Sequence, residues 1–251
     1  MESIYIVAVV GAVAAAFVQG LSGFGFGLVA MSIWAWVLEP RLAAALAVFG
    51  ALTGQVIAAV TVRRGFDLKR LAPFILGGLL GVPLGVALLP KLDIVWFKAI
   101  LGTLLVVWCP VMLMARRLPH VEAGGRLLDG AVGVTGGIMG GLGGFTGIVP
   151  SLWCTLRGLG KDTQRAVIQN FNLSMLIVTM GSYIATGIVT RDMLPVFGMM
   201  IPAILVPSLL GARVYIGISE AAFRQVVLGL LTASGIAMLA ASVPQIMARS
   251  F

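Results

Sequence analysis

The residues best placed to do chemistry in this sequence are uncharged. Two glycine clusters, GLSGFGFG at 20–27 and GGIMGGLGGFTG at 136–147, stand inside long apolar runs. Glycine costs about 1 kcal/mol per position in a helix interior, so each cluster predicts a break in a helix. The arm after each break, starting near 24–27 and 145–148, then has unpaired backbone N–H groups and about half a positive charge at its N-terminus. Such an end holds an anion without any cationic side chain. Gln19, Ser22, Gly23, Phe24 and Gly25 at the first cluster, and Gly143, Gly144, Phe145 and Thr146 at the second, are therefore the candidate binding residues. The amide of Gln19 and the hydroxyls of Ser22 and Thr146 would donate to an oxyanion without the desolvation cost of a buried cation.

A second set of polar residues, Gln169, Asn170, Asn172 and Ser174, lies in the run that starts at Ala166. Their spacing predicts one broad polar face on a helix, either lining a cavity or bonding helix to helix. The corresponding run of the first half carries Thr53 and Gln55. Arg213 follows about 20 uncharged residues, so it either attracts the anion or reaches to the interface. Tyr183 and Tyr215 have the same ambiguity, and Trp36 and Trp96 read as interfacial anchors.

These residues admit other readings. Gly77, Gly81 and Gly85, and several glycine pairs in the second cluster, have the four-residue spacing that lets helix backbones approach. The G-x-G at Gly23-Phe24-Gly25 has no preceding strand and no lysine or acidic ribose partner, so a nucleotide loop is excluded. All nine acidic residues and His120 fall in loops or at segment ends. That leaves no proton relay at the midplane, no base for an intramembrane hydrolase and no acidic ring for a metal-ion channel. Cys109 and Cys154 have no Cys or His neighbour at a ligand spacing, so they read as core residues and no metal or cofactor is expected.

The elements that must position these groups are membrane helices. The chain has 251 residues, 60% hydrophobic and 10% charged, with a mean hydropathy of +1.09. Uncharged stretches at 3–38, 42–62, 71–90, 99–115, 130–156, 166–190, 193–212 and 225–248 use up almost all of it. Most approach or exceed the roughly 20 residues a helix needs to cross the hydrocarbon. The longest polar connection, 116–129, is too short for a soluble domain. The net charge of +8 is dispersed over short loops, which fits the positive-inside bias and not nucleic-acid binding. No basic stretch precedes the first run, so it is expected to stay in the protein.

The halves repeat. Gly20-Leu21-Ser22-Gly23-Phe24 aligns with Gly141-Leu142-Gly143-Gly144-Phe145, and Pro83-Leu84-Gly85 with Pro207 to Gly211. The expected fold is an all-α polytopic membrane protein. It has a first repeat at 1–117, a cytoplasmic linker at 118–127 and a second repeat at 128–251. Each repeat opens with a broken, re-entrant hairpin whose arms are about 14 to 17 residues, followed by three transmembrane helices. Against eight plain spans, this arrangement changes the basic residues inside and outside from nine and seven to eleven and five, with both termini outside. The charge bias therefore favours inverted repeats, which place a substrate between them near the midplane.

The duplicated four-segment halves, opening with GLSGFGFGLVAM at 20–31 and GGLGGFTGIVPSL at 140–152, resemble the sulfite exporter TauE/SafE family. The resemblance covers nearly the whole chain. The first repeat departs from the adjacent glycines of the second, since Phe24 and Phe26 alternate with Gly23, Gly25 and Gly27. It implies a bacterial inner-membrane transporter of sulfite, an organosulfonate or a related anion, in some members with a coupled proton. The expected partners are thus a small anion, with or without that proton, and the lipid bilayer. An anion channel, and an assembly protein whose glycines only pack helices, are the competing functions.

Overall fold

The computed structural model describes residues 2–22, 25–61, 65–115, 121, 125–214 and 220–250. They form ten α-helices: α1 Glu2–Ser22, α2 Phe26–Trp34, α3 Pro40–Thr61, α4 Leu68–Leu88, α5 Ile94–Met114, α6 Gly125–Gly143, α7 Ile148–Leu156, α8 Lys161–Ala185, α9 Leu194–Val214 and α10 Glu220–Ser250. The protein is an all-helical, multi-pass membrane protein. Among the described residues, seven helices are long and apolar enough to cross a membrane, namely α1, α3, α4, α5, α8, α9 and α10.

The order of lengths repeats. A long helix, a nine-residue helix and three further long helices occur in α1–α5 and again in α6–α10. Each long–short pair folds back on itself. The Trp34 indole N–H, at the end of α2, donates to the carbonyls of Val7 and Ala8 near the start of α1. The Trp153 indole, near the end of α7, donates to the Asp129 carboxylate at 2.6 Å near the start of α6. Trp153→Phe removes a hydrogen bond to a charged acceptor, worth about 1.5–3 kcal/mol. At roughly 2–4 °C per kcal/mol, the detergent-purified variant should melt about 3–12 °C lower by light scattering or intrinsic fluorescence.

The arms are unequal, contrary to the expectation of about 14 to 17 residues each. The first arms have 21 and 19 residues and the second arms nine each. At 1.5 Å per residue, α1 is about 31 Å long, enough to span, and α2 about 13 Å. Glycine-rich α6 stays helical through Gly136, Gly137, Gly140 and Gly141 because those positions are buried against other helices, which repay the propensity cost with close contact. At the two breaks, among the described residues, φ turns positive at Gly25 (93°) and Gly144 (77°), in the left-handed region that favours glycine.

Gly77, Gly81 and Gly85 of α4 lie over the backbones of Gly130, Val134 and Ile138 of α6. Gly133, Gly137 and Gly141 of α6 lie in return over Phe74, Gly78 and Val82 of α4. A Cβ at any of these six glycines would fall 2.0–2.6 Å from a carbonyl oxygen of the other helix. The packing reading of Gly77, Gly81 and Gly85 is the one the structure realises. The mate of this seam is α1 against α9, where Gly20 faces Ser208 and Gly211 faces Phe17. Thus the long arm of each repeat packs on the fourth helix of the other, and α5 packs on α10. An exposed ion pair between Asp93, which caps α5, and Arg249 joins the ends of that last pair. The helix-start N–H groups and Arg249 hold the Asp93 carboxyl below its usual value. The pair is therefore present above the ordinary carboxylate range and lost in stronger acid, a small contribution given its exposure.

Candidate functional site

The crossed seams bring the two breaks together. A Cβ on Gly27, in the first turn of α2, would lie 3.2 Å from the Gly143 carbonyl and 3.4 Å from the Phe145 ring. Gly143 in turn faces the Met31 methyl of α2. Between the tips is a cavity of about 50 Å³, measured as space for the centres of water-sized molecules. At roughly 10–15 Å³ per water on that measure, it holds a few waters or one compact ion. Its polar walls are Gln19, Gln55, Thr146, Ser151 and Asn172, and its apolar walls include Phe145 and Trp108. Among the described residues, no charged side chain lines it.

Local bonding fixes how these groups point. The Thr146 hydroxyl, 1% exposed, donates to Asn172 Oδ1 at 2.9 Å. In this orientation the hydroxyl donates to the amide oxygen, and the Asn172 Nδ2 group is the part of the amide that can donate elsewhere. Gly147 lies against it, and a Cβ there would be 2.7 Å from Nδ2. The Gln19 Nε2 group donates to the Ala51 carbonyl of α3 at 3.2 Å. Gly54 presses on the same amide, with an added Cβ 2.4–2.5 Å from its Cδ, Nε2 and Oε1 atoms.

The helix ends contribute unequally. In α2 the first intrahelical acceptor is Gly25, bonded by Val29 N–H at 3.1 Å. The amides of Phe26, Gly27 and Leu28 therefore have no acceptor within the helix. In α7 the Ile148 N–H is taken by the Phe145 carbonyl at 3.3 Å, and Pro150 has no N–H at all. Both second arms thus present a positive dipole end to the cavity, and in α7 the Ile148 amide is already occupied.

Of the residues singled out in the sequence, Gln19, Gly25, Phe145, Thr146, Gly144 and Asn172 line this cavity. Gly143 sits behind it against Met31. Gln169 is buried on α8 but is not among the lining residues. Asn170 turns away, its Nδ2 donating to the Gly65 carbonyl at 3.1 Å. The single polar face expected on this helix is thus divided, because adjacent helical residues point about 100° apart. Gly23 and Phe24, the side chains of Ser22 and Arg213, and Tyr215 lie outside the described residues. Tyr183 is fully buried and its hydroxyl donates to the Gly141 carbonyl at 2.8 Å, fastening α8 to α6. Trp36 and Trp96 are exposed on the outer surface, as anchors would be.

Gln55, Ser151 and Trp108 also line the cavity and were not among the candidates. Ser151 had a signal, its place in the first turn of the second arm. Gln55 had one too, as a polar residue in the run matching the Asn172 helix. Trp108 had none. Beyond Phe145 lies a second cavity of about 80 Å³ with wholly apolar walls, including Phe97, Leu101 and Leu142. Phe145 lines both.

The sequence matches the family described as Sulfite exporter TauE/SafE over residues 7–238. No curated protein and no solved structure matches it.

Proposed function

Because the chain belongs to the sulfite exporter TauE/SafE family, we propose that it is a secondary transporter that moves sulfite or an organosulfonate across a bacterial inner membrane by alternating access. The anion is held between the two hairpin tips. The observation that supports this reading is the cavity itself: two helix N-termini and the Asn172 amide converge on a small space that, among the described residues, has no cationic side chain in its walls. Dipole ends and oriented N–H groups stabilise an anion there, yet release it more readily than a buried arginine would. The hairpins are re-entrant and the repeats inverted, so the tips enter from opposite leaflets. A reporter fused after Phe251 should then read the outer side, and a cytoplasmic reading would overturn the inversion.

Binding is tested by a thermal-shift screen of the detergent-purified protein against sulfite, sulfate, thiosulfate, taurine, isethionate and carboxylate controls. A ligand at about 100 times its Kd adds about 2.7 kcal/mol to the folded state. Stabilisation that saturates with one sulfur anion supports the site; silence across the panel overturns it. In Asn172→Leu the Nδ2 donor is lost and the Thr146 hydroxyl is left without its acceptor. Affinity for the selected anion should fall roughly five- to hundredfold, from the 1–3 kcal/mol such a group is worth. Flux that saturates with concentration identifies a carrier, and flux that does not identifies a channel.

A further inference from the structure

Phe145 stands where the two cavities meet. Among the described residues it is the one that lines both the space between the tips and the apolar space beside it. Along α5 the lining residues Phe97, Leu101, Leu104, Trp108 and Met112 follow at intervals of three or four, so they share one helix face. The first three belong to the apolar cavity and the last two to the tip cavity. The two spaces are therefore neighbours along α5, and the Phe145 ring is their common wall.

That wall is held in place. The Phe145 N–H donates to the Met139 carbonyl at 3.3 Å, and its own carbonyl accepts from the Ile148 N–H at 3.3 Å, so the backbone is tied on both sides. Phe145 is 7% exposed. Its ring lies against a glycine of each tip: a Cβ on Gly143 would be 2.9 Å from Cε2, and one on Gly27 would be 3.4 Å from Cδ1. The missing side chain at Gly143 is what makes room for the ring there.

Volume then decides what fits in front of it. On the measure that gives a water roughly 10–15 Å³, the tip cavity of about 50 Å³ takes about three to five non-hydrogen atoms. Sulfite has four and methanesulfonate five, whereas taurine and isethionate have seven each. The missing space lies behind the ring, in about 80 Å³ with wholly apolar walls. A hydrocarbon tail there would gain roughly fourfold in affinity per buried methylene, and the ring denies it that space.

We infer that Phe145 sets the size of the anion: its ring closes the tip cavity against the apolar one, so the site takes a compact sulfur oxyanion and turns away an organosulfonate with a carbon tail. This rests on the tip site proposed above and narrows its substrate class. Phe145 is thus the residue that determines specificity, and the apolar cavity is the space it withholds.

The test is calorimetric titration of the purified full chain with sulfite, methanesulfonate and butane-1-sulfonate. The two sulfonates share head group and charge and differ only in the tail. The wild type should bind butane-1-sulfonate at least about tenfold more weakly than methanesulfonate. Phe145→Ala joins the two spaces, and that preference should reverse, with butane-1-sulfonate bound at least about tenfold more tightly than by the wild type. Leu104→Ala widens the apolar cavity but leaves the ring, and should change the preference by less than about twofold. Equal affinity of the wild type for the two sulfonates overturns the inference and leaves the tip site standing. So does a Phe145→Ala protein that binds methanesulfonate without gaining the longer anion, or an equal gain in Leu104→Ala. Absence of binding by all three anions to the wild type removes the tip site and this inference together. Where Phe145→Ala fails to fold, Phe145→Leu should show the same direction of change, and the wild-type comparison of the two sulfonates decides the matter without either variant.

Discussion

Gly137→Leu should yield no folded protein. Gly137 Cα lies so close to α4 that an added Cβ would stand 2.3 Å from the Gly78 carbonyl and 2.9 Å from the Val82 nitrogen. Both are backbone atoms, so no side chain can rotate to make room. The two helices must separate, and with them go the reciprocal contacts of Gly77, Gly81, Gly85, Gly133 and Gly141. Overpacking a core by single methylenes already costs about 1–3 kcal/mol, and here a whole leucine meets backbone along one seam. In a bilayer this loss is not offset by a hydrophobic driving force, since helix association rests on close packing. The expected result is aggregation on size-exclusion chromatography of the detergent extract. A monodisperse, normally stable Gly137→Leu protein would refute the seam.

Gly144→Leu, seven residues along, should behave in the opposite way. The protein inserts and folds but does not bind or transport its anion. Gly144 has φ of +77°, and a Cβ there would touch Val48 at 3.4 Å, ordinary contact distance. The cost is then chiefly that of placing an L-residue in left-handed backbone, about 1–2 kcal/mol, which a protein of this size tolerates. The remaining side-chain atoms, however, start from a residue that lines the tip cavity. With about 50 Å³ available, a leucine fills the space meant for the ligand. Gly144→Ala should bind weakly, from backbone strain alone. Normal uptake by Gly144→Leu would sink the placement of the anion between the tips. Together the two variants separate what glycine does for packing from what it does for the site, within one cluster.

Much of this was legible in the chain. Composition and run length determine a multi-span membrane protein, and the aligned GLSGF and GLGGF segments mark the duplication. The breaks at Gly25 and Gly144 follow from glycine clusters, because positive φ is a local property that one residue type satisfies. Thr146 and Asn172 could be chosen as polar residues with no loop to escape to. What the sequence did not determine is which partner each helix takes. The unequal arms, the crossing of α4 with α6 and α1 with α9, the diversion of Asn170 to Gly65, and the entry of Gln55 and Trp108 into the cavity all depend on it. In a soluble protein the buried stripe of a helix announces itself by contrast with a polar face. Here lipid and protein interior are equally apolar, so exposed Leu80 and buried Val82 read alike in the chain. Only the fit of one backbone against another distinguishes them, and that fit exists only once the helices have packed.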